Sequence, residues 1–133
     1  MVEKAVLRPE RVRTVSGSFA FVEHRFLRDG FWQGLDHHAL LLYLFLVLVG
    51  DRKGLSYYTY DKICSLLKVS VDDYILARNE LIEKDLIAFD GRLFQVLSLP
   101  KTPVSPGQDL ITDKGERKQT NPVTLAQIIR GAL

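Results

Sequence analysis

The sequence holds one cysteine, Cys64, among its 133 residues. A single thiol excludes an intramolecular disulfide and a cysteine-based metal cluster, which suits a reducing cytoplasm. The most apolar run, residues 39–49, has 11 residues, whereas a membrane span needs about 17–25. Residues 1–17 lack the apolar core of a signal peptide. These absences predict a soluble, cytoplasmic protein that has no structural disulfide and no contact with a membrane.

Signatures of enzymes and metal sites are missing as well. The sequence has no glycine-rich phosphate loop and no Gly-x-Ser-x-Gly nucleophile motif. His37 and His38 are adjacent, so on a helix they diverge by about 100° and cannot hold one ion, and His24 belongs to another element. Cys64 lies beside the apolar face of a predicted helix and is interpreted as an inert core residue. We therefore predict no enzymatic activity, no catalytic residue, no cofactor and no bound metal.

Positive charge is scarce in the centre of the chain. Residues 35–99 carry seven basic and nine acidic side chains. Residues 1–28 carry six basic and three acidic side chains, and residues 100–133 carry five and three. The predicted folded centre is therefore mildly acidic. If nucleic acid is the partner, the flanking segments must neutralise many of its phosphates.

Composition divides the chain into four predicted segments. Residues 1–17 form a basic arm, and residues 100–120 form a proline-rich linker. Residues 121–133 begin with an Asn N-cap and carry apolar residues at helical spacing, which predicts a short amphipathic C-terminal helix. Residues 18–99 form the folded domain, and the alternation in 18-SFAFVEHRF-26 predicts an N-terminal strand.

Start and stop signals predict two helices in the first half of the domain. Asp36 is a good N-cap for a helix over residues 37–49 that Gly50 ends. Apolar residues surround this helix, which predicts both a central position and a dimer interface. After a turn and a short strand at 55–58, Thr59 caps a helix over residues 60–67. Its predicted buried residues are Ile63, Leu66 and Leu67.

The second half of the domain predicts a helix and a β-hairpin. Ser70 caps a helix that runs to about Lys84, with Asp73 at its third position as an acidic variant of the capping box. Strands then follow at 86–89 and 93–99, and the Asp-Gly pair between them is a strong hairpin-turn signal. The predicted fold class is α+β, mainly helical with a small β-hairpin.

The order of these elements over residues 35–99 resembles a winged helix-turn-helix, and 80-ELIEKDLIAF-89 is similar to the end of many bacterial recognition helices. Asp85 stands where those helices usually have Gly. Residues 19–46 resemble the N-terminal region of DnaD-type primosome proteins and of plasmid replication initiators with a RepA-type N-terminal domain. The resemblance implies DNA binding, dimerisation through N-terminal elements and contacts with replication partners. The expected architecture is a winged helix-turn-helix with an N-terminal strand extension and a C-terminal tail helix.

The predicted recognition helix is acidic, which is unusual for an element that approaches phosphates. At 100° per residue, six of its residues are assigned to the core: Tyr74, Ala77, Leu81, Val71, Ile75 and Ile82. Six lie on the opposite arc, four of them acidic: Asp72, Asp73, Leu76, Asn79, Glu80 and Glu83. A carboxylate can accept from cytosine N4, and Asn79 could pair with adenine. The helix macrodipole, which favours acids in the first turn, is the preferred explanation of Asp72 and Asp73.

The candidate DNA contacts combine this helix with bases on neighbouring elements and on the arm: Lys62, Lys68, Ser70, Asp72, Asp73, Arg78, Asn79, Arg92, Arg11 and Arg13. Each base taken singly is more often a solvated surface charge than a DNA contact, and only a shared face would favour contacts. Arg11 and Arg13 would reach a minor groove, as homeodomain arms do, or would belong to a disordered tail.

Two functions compete on this evidence. The first is a dimeric winged-helix protein that binds double-stranded DNA in transcription or replication control, with an affinity that falls steeply with salt. The second is a protein-interaction module whose acidic face, bearing Leu76, contacts a basic partner, while residues 123–133 dock elsewhere. Replacing Asp72 and Asp73 with Asn separates the two. A DNA reader should bind duplex more tightly, whereas an adaptor should lose its partner.

Overall fold

The computed structural model describes residues 4–104. Four α-helices and three short strands follow one another in these residues: α1 (Arg25–Arg28), α2 (His37–Val49), β1 (Leu55–Tyr57), α3 (Tyr60–Leu67), α4 (Val71–Glu83), β2 (Ile87–Phe89) and β3 (Leu93–Val96). A single 3-10 turn at Pro9–Arg11 precedes α1. The predicted linker is described only as far as residue 104, and the predicted helix over 121–133 lies outside the described residues.

Local capping fixes where the two longest helices begin. The Asp36 carboxylate accepts a hydrogen bond from the backbone N–H of Ala39 at 3.0 Å, at the start of α2. The Ser70 hydroxyl accepts from the N–H of Asp73 at 3.0 Å, at the start of α4. Such bonds satisfy N–H groups that have no partner inside the helix. Both predicted N-caps are confirmed, and α2 also ends at Gly50 as predicted.

The predicted hairpin is confirmed and gains a third strand. Asp90 Oδ1 accepts from the N–H groups of Arg92 at 2.9 Å and Leu93 at 2.8 Å, which closes the turn between β2 and β3. β1 pairs antiparallel with β3, so the strand order is β1-β3-β2. Gly54 makes this pairing possible: its φ is +81°, and an added Cβ would lie 2.6 Å from the carbonyl oxygen of Val96.

The core lies between α2, α4 and the inner face of the sheet. Its buried residues come from every helix and from strands β2 and β3: Phe26, Phe31, Ala39, Leu42, Tyr43, Leu46, Ile63, Tyr74, Ala77, Leu81, Leu86, Ile87 and Phe94. Phe26 of α1 stacks on Tyr43 of α2 with ring centroids 4.8 Å apart. This contact packs α1 against α2, so the folded domain includes residues that precede α2.

The chain beyond β3 returns to α1. The Arg25 guanidinium donates to the carbonyl oxygens of Leu99 and Pro100, each at 3.0 Å. It also lies over the Phe31 ring, 5.4 Å from its centroid. These contacts hold the segment after the wing against the N-terminal part of the domain.

The predicted strand over residues 18–26 is wrong. Residues 18–23 have no regular structure, and α1 occupies Arg25–Arg28. Phe19 and Phe21 are 72% and 74% exposed, so the alternating pattern has no strand partner in the described residues. Phe26 is buried, because the turn of α1 aims it at Tyr43. A strand at residues 18–26 would need the edge of a sheet with which to pair. A helical turn forms at its end instead, because that turn buries Phe26 against Tyr43.

The assignment of Leu66 to the core is also wrong, whereas Cys64 packs against the core and is partly buried. Leu66 is 52% exposed, and Cys64 is half-buried. Of the predicted face of α3, Ile63 is fully buried and Leu67 partly so. The helix has only eight residues and meets the core along a narrow stripe. The apolar spacing in α3 therefore predicted more buried residues than the helix has.

The element order helix, strand, helix, turn, helix, hairpin is that of a winged helix-turn-helix. The chain is mostly helical with a small antiparallel sheet, which confirms the predicted fold class. Asp85, just after α4, adopts a φ of 62°, a left-handed conformation that Asp tolerates better than most residues. Within residues 4–104, each helix falls short of the length and apolar content that crossing a bilayer requires.

Candidate nucleic-acid interface

The helix-turn-helix consists of α3, α4 and the three residues between them. Lys68 ends α3 with a φ of 59°, and its backbone N–H bonds back to the Cys64 carbonyl. This left-handed residue reverses the chain so that Ser70 can cap α4. The side chains of Lys68 and Ser70 are exposed. The turn therefore presents a cation and a hydroxyl beside the first turn of α4.

The face of α4 that meets the core is narrower than predicted. Tyr74, Ala77 and Leu81 are buried, as predicted. The other three residues assigned to the core are exposed by 45%, 36% and 40%: Val71, Ile75 and Ile82. Helix α4 packs against α2, α3 and β2, and the residues covered most fully form a single stripe at every three or four positions. Those three core assignments are therefore wrong.

The acidic residues that were predicted to share one arc of α4 have different surroundings in the structure. Asp73 lies 3.7 Å from His38 Nε2, at the N-terminal end of α2. Glu80 accepts a hydrogen bond from the backbone N–H of Asp36 at 3.2 Å. Two of the four acids predicted to face a partner thus point toward α2. Asp72 remains exposed on the outer side of the helix.

Burial raises the pKa of the Glu80 carboxyl, and the negative charge of Asp36 raises it further. The ammonium group of Lys84, one turn later, donates to the Gly34 carbonyl. Contacts from Asp73, Glu80 and Lys84 therefore attach the same side of α4 to the N-terminal end of α2 and the loop before it. These contacts fix the rotation of α4 about its own axis.

Arg78 connects α4 to the wing. Its guanidinium lies 5.1 Å from the centroid of the Phe89 ring in β2 and 5.5 Å from that of Tyr74. It also donates to Asn79 Oδ1 through Nε at 3.4 Å and a terminal nitrogen at 3.3 Å. The two aromatic rings hold a half-buried cation at the junction of helix and sheet. The bonds to Oδ1 leave the amide NH₂ of Asn79, which is exposed, as a donor.

The wing carries a cation on an aromatic side chain. The Arg92 guanidinium lies 5.5 Å from the centroid of the Tyr57 ring, which is 64% exposed. The pairing of β1 with β3 creates this contact, because Tyr57 lies opposite Leu93. The N–H groups of Leu93 and Arg92 hold the pKa of the Asp90 carboxyl below its ordinary value. The tip therefore presents one cation next to one carboxylate.

The structure places the candidate residues at four locations and turns one candidate away from them. Lys62, Lys68, Ser70 and Asp72 lie on the exposed surface of α3, the turn and the start of α4. Arg78 and Asn79 form a pair further along α4, and Arg92 is at the wing tip. Arg11 and Arg13 are exposed in the segment before α1. The structure turns one candidate, Asp73, away from this surface and toward His38.

Sequence reasoning missed two features of this surface. It did not find the pairing of Arg92 with Tyr57, because the two residues meet only through the register of β1 on β3. It also placed Val71 and Ile75 in the core. Both residues are apolar and β-branched, so their residue type did not indicate that they would be exposed. Among residues 4–104, no group of three or more His, Cys, Asp or Glu side chains is arranged to hold a metal ion.

Taken together, α2, β1, α3, α4, β2 and β3 define a winged helix-turn-helix domain. Residues 33–87, from the loop before α2 to the first residue of β2, match a family model described as a helix-turn-helix domain. No curated protein and no solved structure matches the chain.

Proposed function

We propose that this protein is a winged-helix protein that binds double-stranded DNA in the cytoplasm as a dimer, in the control of transcription or replication. The observation that carries the proposal is the set of exposed bases on both sides of α4: Lys62 and Lys68 on the helix-turn-helix and Arg92 on the wing. In this fold, phosphate contacts from such positions orient the recognition helix on the duplex.

Only some of the acidic residues of α4 would face a DNA duplex, which weakens the electrostatic argument against DNA binding. A carboxylate that faces phosphates repels them, and four acids on one arc would oppose binding strongly. Asp73 and Glu80 instead face the N-terminal end of α2. Asp72, which is exposed, remains the main unfavourable charge at the start of the helix. The bases around α4 therefore oppose fewer negative charges than the sequence suggested.

The exposed residues of α4 could contact a few bases in the major groove. Ile75 and Leu76 could contact thymine methyl groups in a major groove. The NH₂ group of Asn79 remains a donor and could donate to adenine N7, whereas its Oδ1 already accepts two hydrogen bonds from Arg78. Arg11 and Arg13 lie in an exposed segment and would add contacts in the minor groove. Binding would then depend mostly on phosphates and on a few bases.

Dimerisation is supported by the outer side of α2. Leu41 and Leu48 are 41% and 72% exposed, although α2 is the most apolar helix of the described residues. Phe19 and Phe21, before α1, add further exposed apolar surface. Such surface on a soluble domain is typical of an interaction site. The resemblance of residues 19–46 to DnaD-type and RepA-type proteins is the ground for a role in replication.

A gel-shift titration with mixed genomic duplex fragments at several salt concentrations tests the proposal. We expect binding that weakens steeply with salt, and each of Lys68→Ala and Arg92→Ala should lower the slope of log affinity against log salt by about one. Lys53→Ala is the matched control, since Lys53 lies in the turn at the opposite end of β1 from the wing tip. The absence of duplex binding at low salt, or equal losses in all three variants, would contradict the proposal.

A protein-interaction module is the second candidate, and the exposed aliphatic residues on α4 favour it. Leu76 is 66% exposed, and Val71, Ile75 and Ile82 on the same helix are 45%, 36% and 40% exposed. A basic, apolar segment of a partner protein would complement this surface. The candidate predicts negligible binding of duplex at low salt and a partner complex that is lost in Leu76→Asp.

A further inference from the structure

The three-stranded sheet has one face that is turned away from the core. The register places Gln95 opposite both Leu55 and Ala88, and it pairs Tyr57 with Leu93. Residues opposite one another in an antiparallel pair project from the same face, and so do alternate residues along a strand. We call this set the outer face of the sheet: Leu55, Tyr57, Ala88, Leu93 and Gln95. Tyr57 is 64% exposed, Ala88 and Gln95 are exposed, and the two leucines are half-buried.

An aromatic ring and a guanidinium group lie together at one end of the outer face. The Arg92 guanidinium is 5.5 Å from the centroid of the Tyr57 ring, and both side chains are exposed. Aromatic rings and guanidinium planes are the two flat groups on which proteins stack nucleobases. Gln95, two residues after Leu93 on β3, adds an exposed amide that can both donate to and accept from the edge of a base.

The charges at the two ends of the outer face complement a phosphate backbone. Arg92 lies at one end, and Arg52 and Lys53 lie in the turn before β1 at the other; all three are exposed. The carboxylates in these turns, Asp51 and Asp90, each accept hydrogen bonds from two backbone N–H groups of their own turn. Strand β1 has three residues and is about 10 Å long, so one short segment of nucleic acid can meet the cations at both ends.

The exposed ring of Tyr57 favours an unpaired base over a duplex. In a duplex, the neighbouring base pairs cover both flat faces of each base, so a side chain outside the stack cannot reach them. A single strand leaves these faces open, and an aromatic side chain can stack on any of the four bases, because each has a π-face. The outer face of the sheet therefore fits a single strand, whereas the exposed residues of α4 would meet the groove of a duplex.

We propose that the outer face of the sheet binds single-stranded DNA, with one base stacked on Tyr57 and the adjoining phosphate bound by Arg92. Single-strand binding goes beyond the proposed function, and Arg92 is the residue that the two sites share. The choice of DNA over RNA rests on the proposed function, because the same wing tip would meet the phosphates of duplex DNA. One molecule can then hold a duplex on α4 and an unpaired strand on the sheet, as at a point where a duplex opens.

Fluorescence polarisation with the full-length chain and a labelled oligothymidine of about 12 nucleotides tests the site, because this strand cannot pair with itself. Tyr57→Thr removes the ring and keeps a residue that favours strands. It should weaken binding by about 5- to 150-fold, the range that corresponds to the loss of one base–aromatic stack. Tyr57→Phe keeps the ring and should bind within about twofold of wild type. Tyr60→Thr is the matched control, since Tyr60 is 56% exposed but lies on α3.

A second pair of variants tests the same face without changing Tyr57. Ala88 is exposed on β2, opposite Gln95. Ala88→Glu should weaken the binding of oligothymidine several-fold, and Ala88→Lys should strengthen it, because the two changes place opposite charges beside the bound backbone. Changes in the same direction for both variants would overturn the proposal.

Equal binding by wild type and Tyr57→Thr, or equal losses in Tyr57→Thr and Tyr57→Phe, would also overturn it. Tighter binding of an oligouridine of the same length would overturn it in favour of RNA. A change of oligomeric state in Tyr57→Thr, measured by light scattering, would overturn it in favour of a second copy of the chain on this face. Single-strand binding that depends on Tyr57, without duplex binding, would retain this site and reject the proposed function. Duplex binding that depends on Lys68, without single-strand binding, would reject this site and retain the proposed function.

Discussion

The carboxylate of Glu80 accepts a hydrogen bond from the backbone N–H of Asp36 at 3.2 Å, which joins the second half of α4 to the N-cap of α2. Burial raises the pKa of Glu80, and the negative charge of Asp36 adds to this effect. In the folded protein this carboxyl therefore binds a proton more tightly than in the unfolded chain. The contact that orients α4 is thus also sensitive to pH.

This relationship predicts how the free energy of unfolding depends on pH. Because the folded-state pKa of Glu80 is above its ordinary value of 4.5, the native state holds the proton longer as pH rises. The contribution of Glu80 to stability therefore falls from about pH 4.5 up through its folded-state pKa. Glu80→Gln does not titrate, so its stability relative to wild type should be greater at pH 7 than at pH 4. Urea denaturation at the two pH values measures the difference, and an equal difference at both would contradict the argument.

Replacing Asp72 with Asn should strengthen the binding of non-specific duplex. The change removes an exposed negative charge from the side of α4 that would face phosphates, and an increase of about threefold at low salt is expected. Asp73→Asn is the control, because Asp73 lies against His38 and should have a smaller effect on affinity. Both changes weaken the favourable interaction of the first turn with the helix macrodipole, so stability should fall by about 0.3–1 kcal/mol in each. A larger gain in affinity from Asp73→Asn would mean that the orientation of α4 is different from the one described.

Leu48→Gln should weaken self-association. Leu48 is 72% exposed on α2, and its burial in a two-fold interface would count once for each subunit. Burying a leucine stabilises by roughly 1.5–3 kcal/mol, so the dimer dissociation constant should rise at least about 100-fold. Light scattering over a range of concentrations measures this, with Leu66→Gln on α3 as the control, since Leu66 is also exposed. A wild-type chain that is monomeric at every concentration would exclude the dimer.

Gly54→Ala should destabilise the domain by about 2 kcal/mol or more. The residue has a φ of +81°, and an added Cβ would lie 2.6 Å from the backbone oxygen of Val96. The variant combines a disfavoured backbone conformation with a clash against β3. Gly17→Ala provides the control, because a Cβ there meets nothing within 4 Å. Thermal unfolding of both variants should show a loss only for Gly54→Ala; unchanged stability in that variant would mean that β1 does not pair with β3 as described.

The start of each long helix and the turn of the hairpin could be predicted from the sequence because they depend on neighbours in the chain. Asp36 and Ser70 bond to N–H groups three residues away, and Asp90 bonds to those of the next two or three residues. Such contacts form wherever the local sequence permits them. Because these boundaries were correct, the sequence also placed Lys68 in the turn before α4 and Arg92 in the wing.

Other features depend on contacts between distant segments. Residues 18–26 carry the alternation of a strand, yet Phe26 finds its partner in Tyr43, and a helical turn forms instead. The periodicity of α4 indicated a buried stripe but not its width, which placed Ile75 in the core and not at the surface. The sequence could not show that β1 adds to the hairpin or that Arg92 meets Tyr57.

By itself, the sequence determined helices α2 to α4, the hairpin, their order and the class of fold, since hydrophobic spacing, caps and turn residues act over a few positions. Only the tertiary structure decided the rotation of α4. That rotation depends on where α2 and its preceding loop offer an N–H to Glu80, an imidazole to Asp73 and a carbonyl to Lys84. These groups lie 35 to 50 positions away in the chain, beyond the reach of any local pattern.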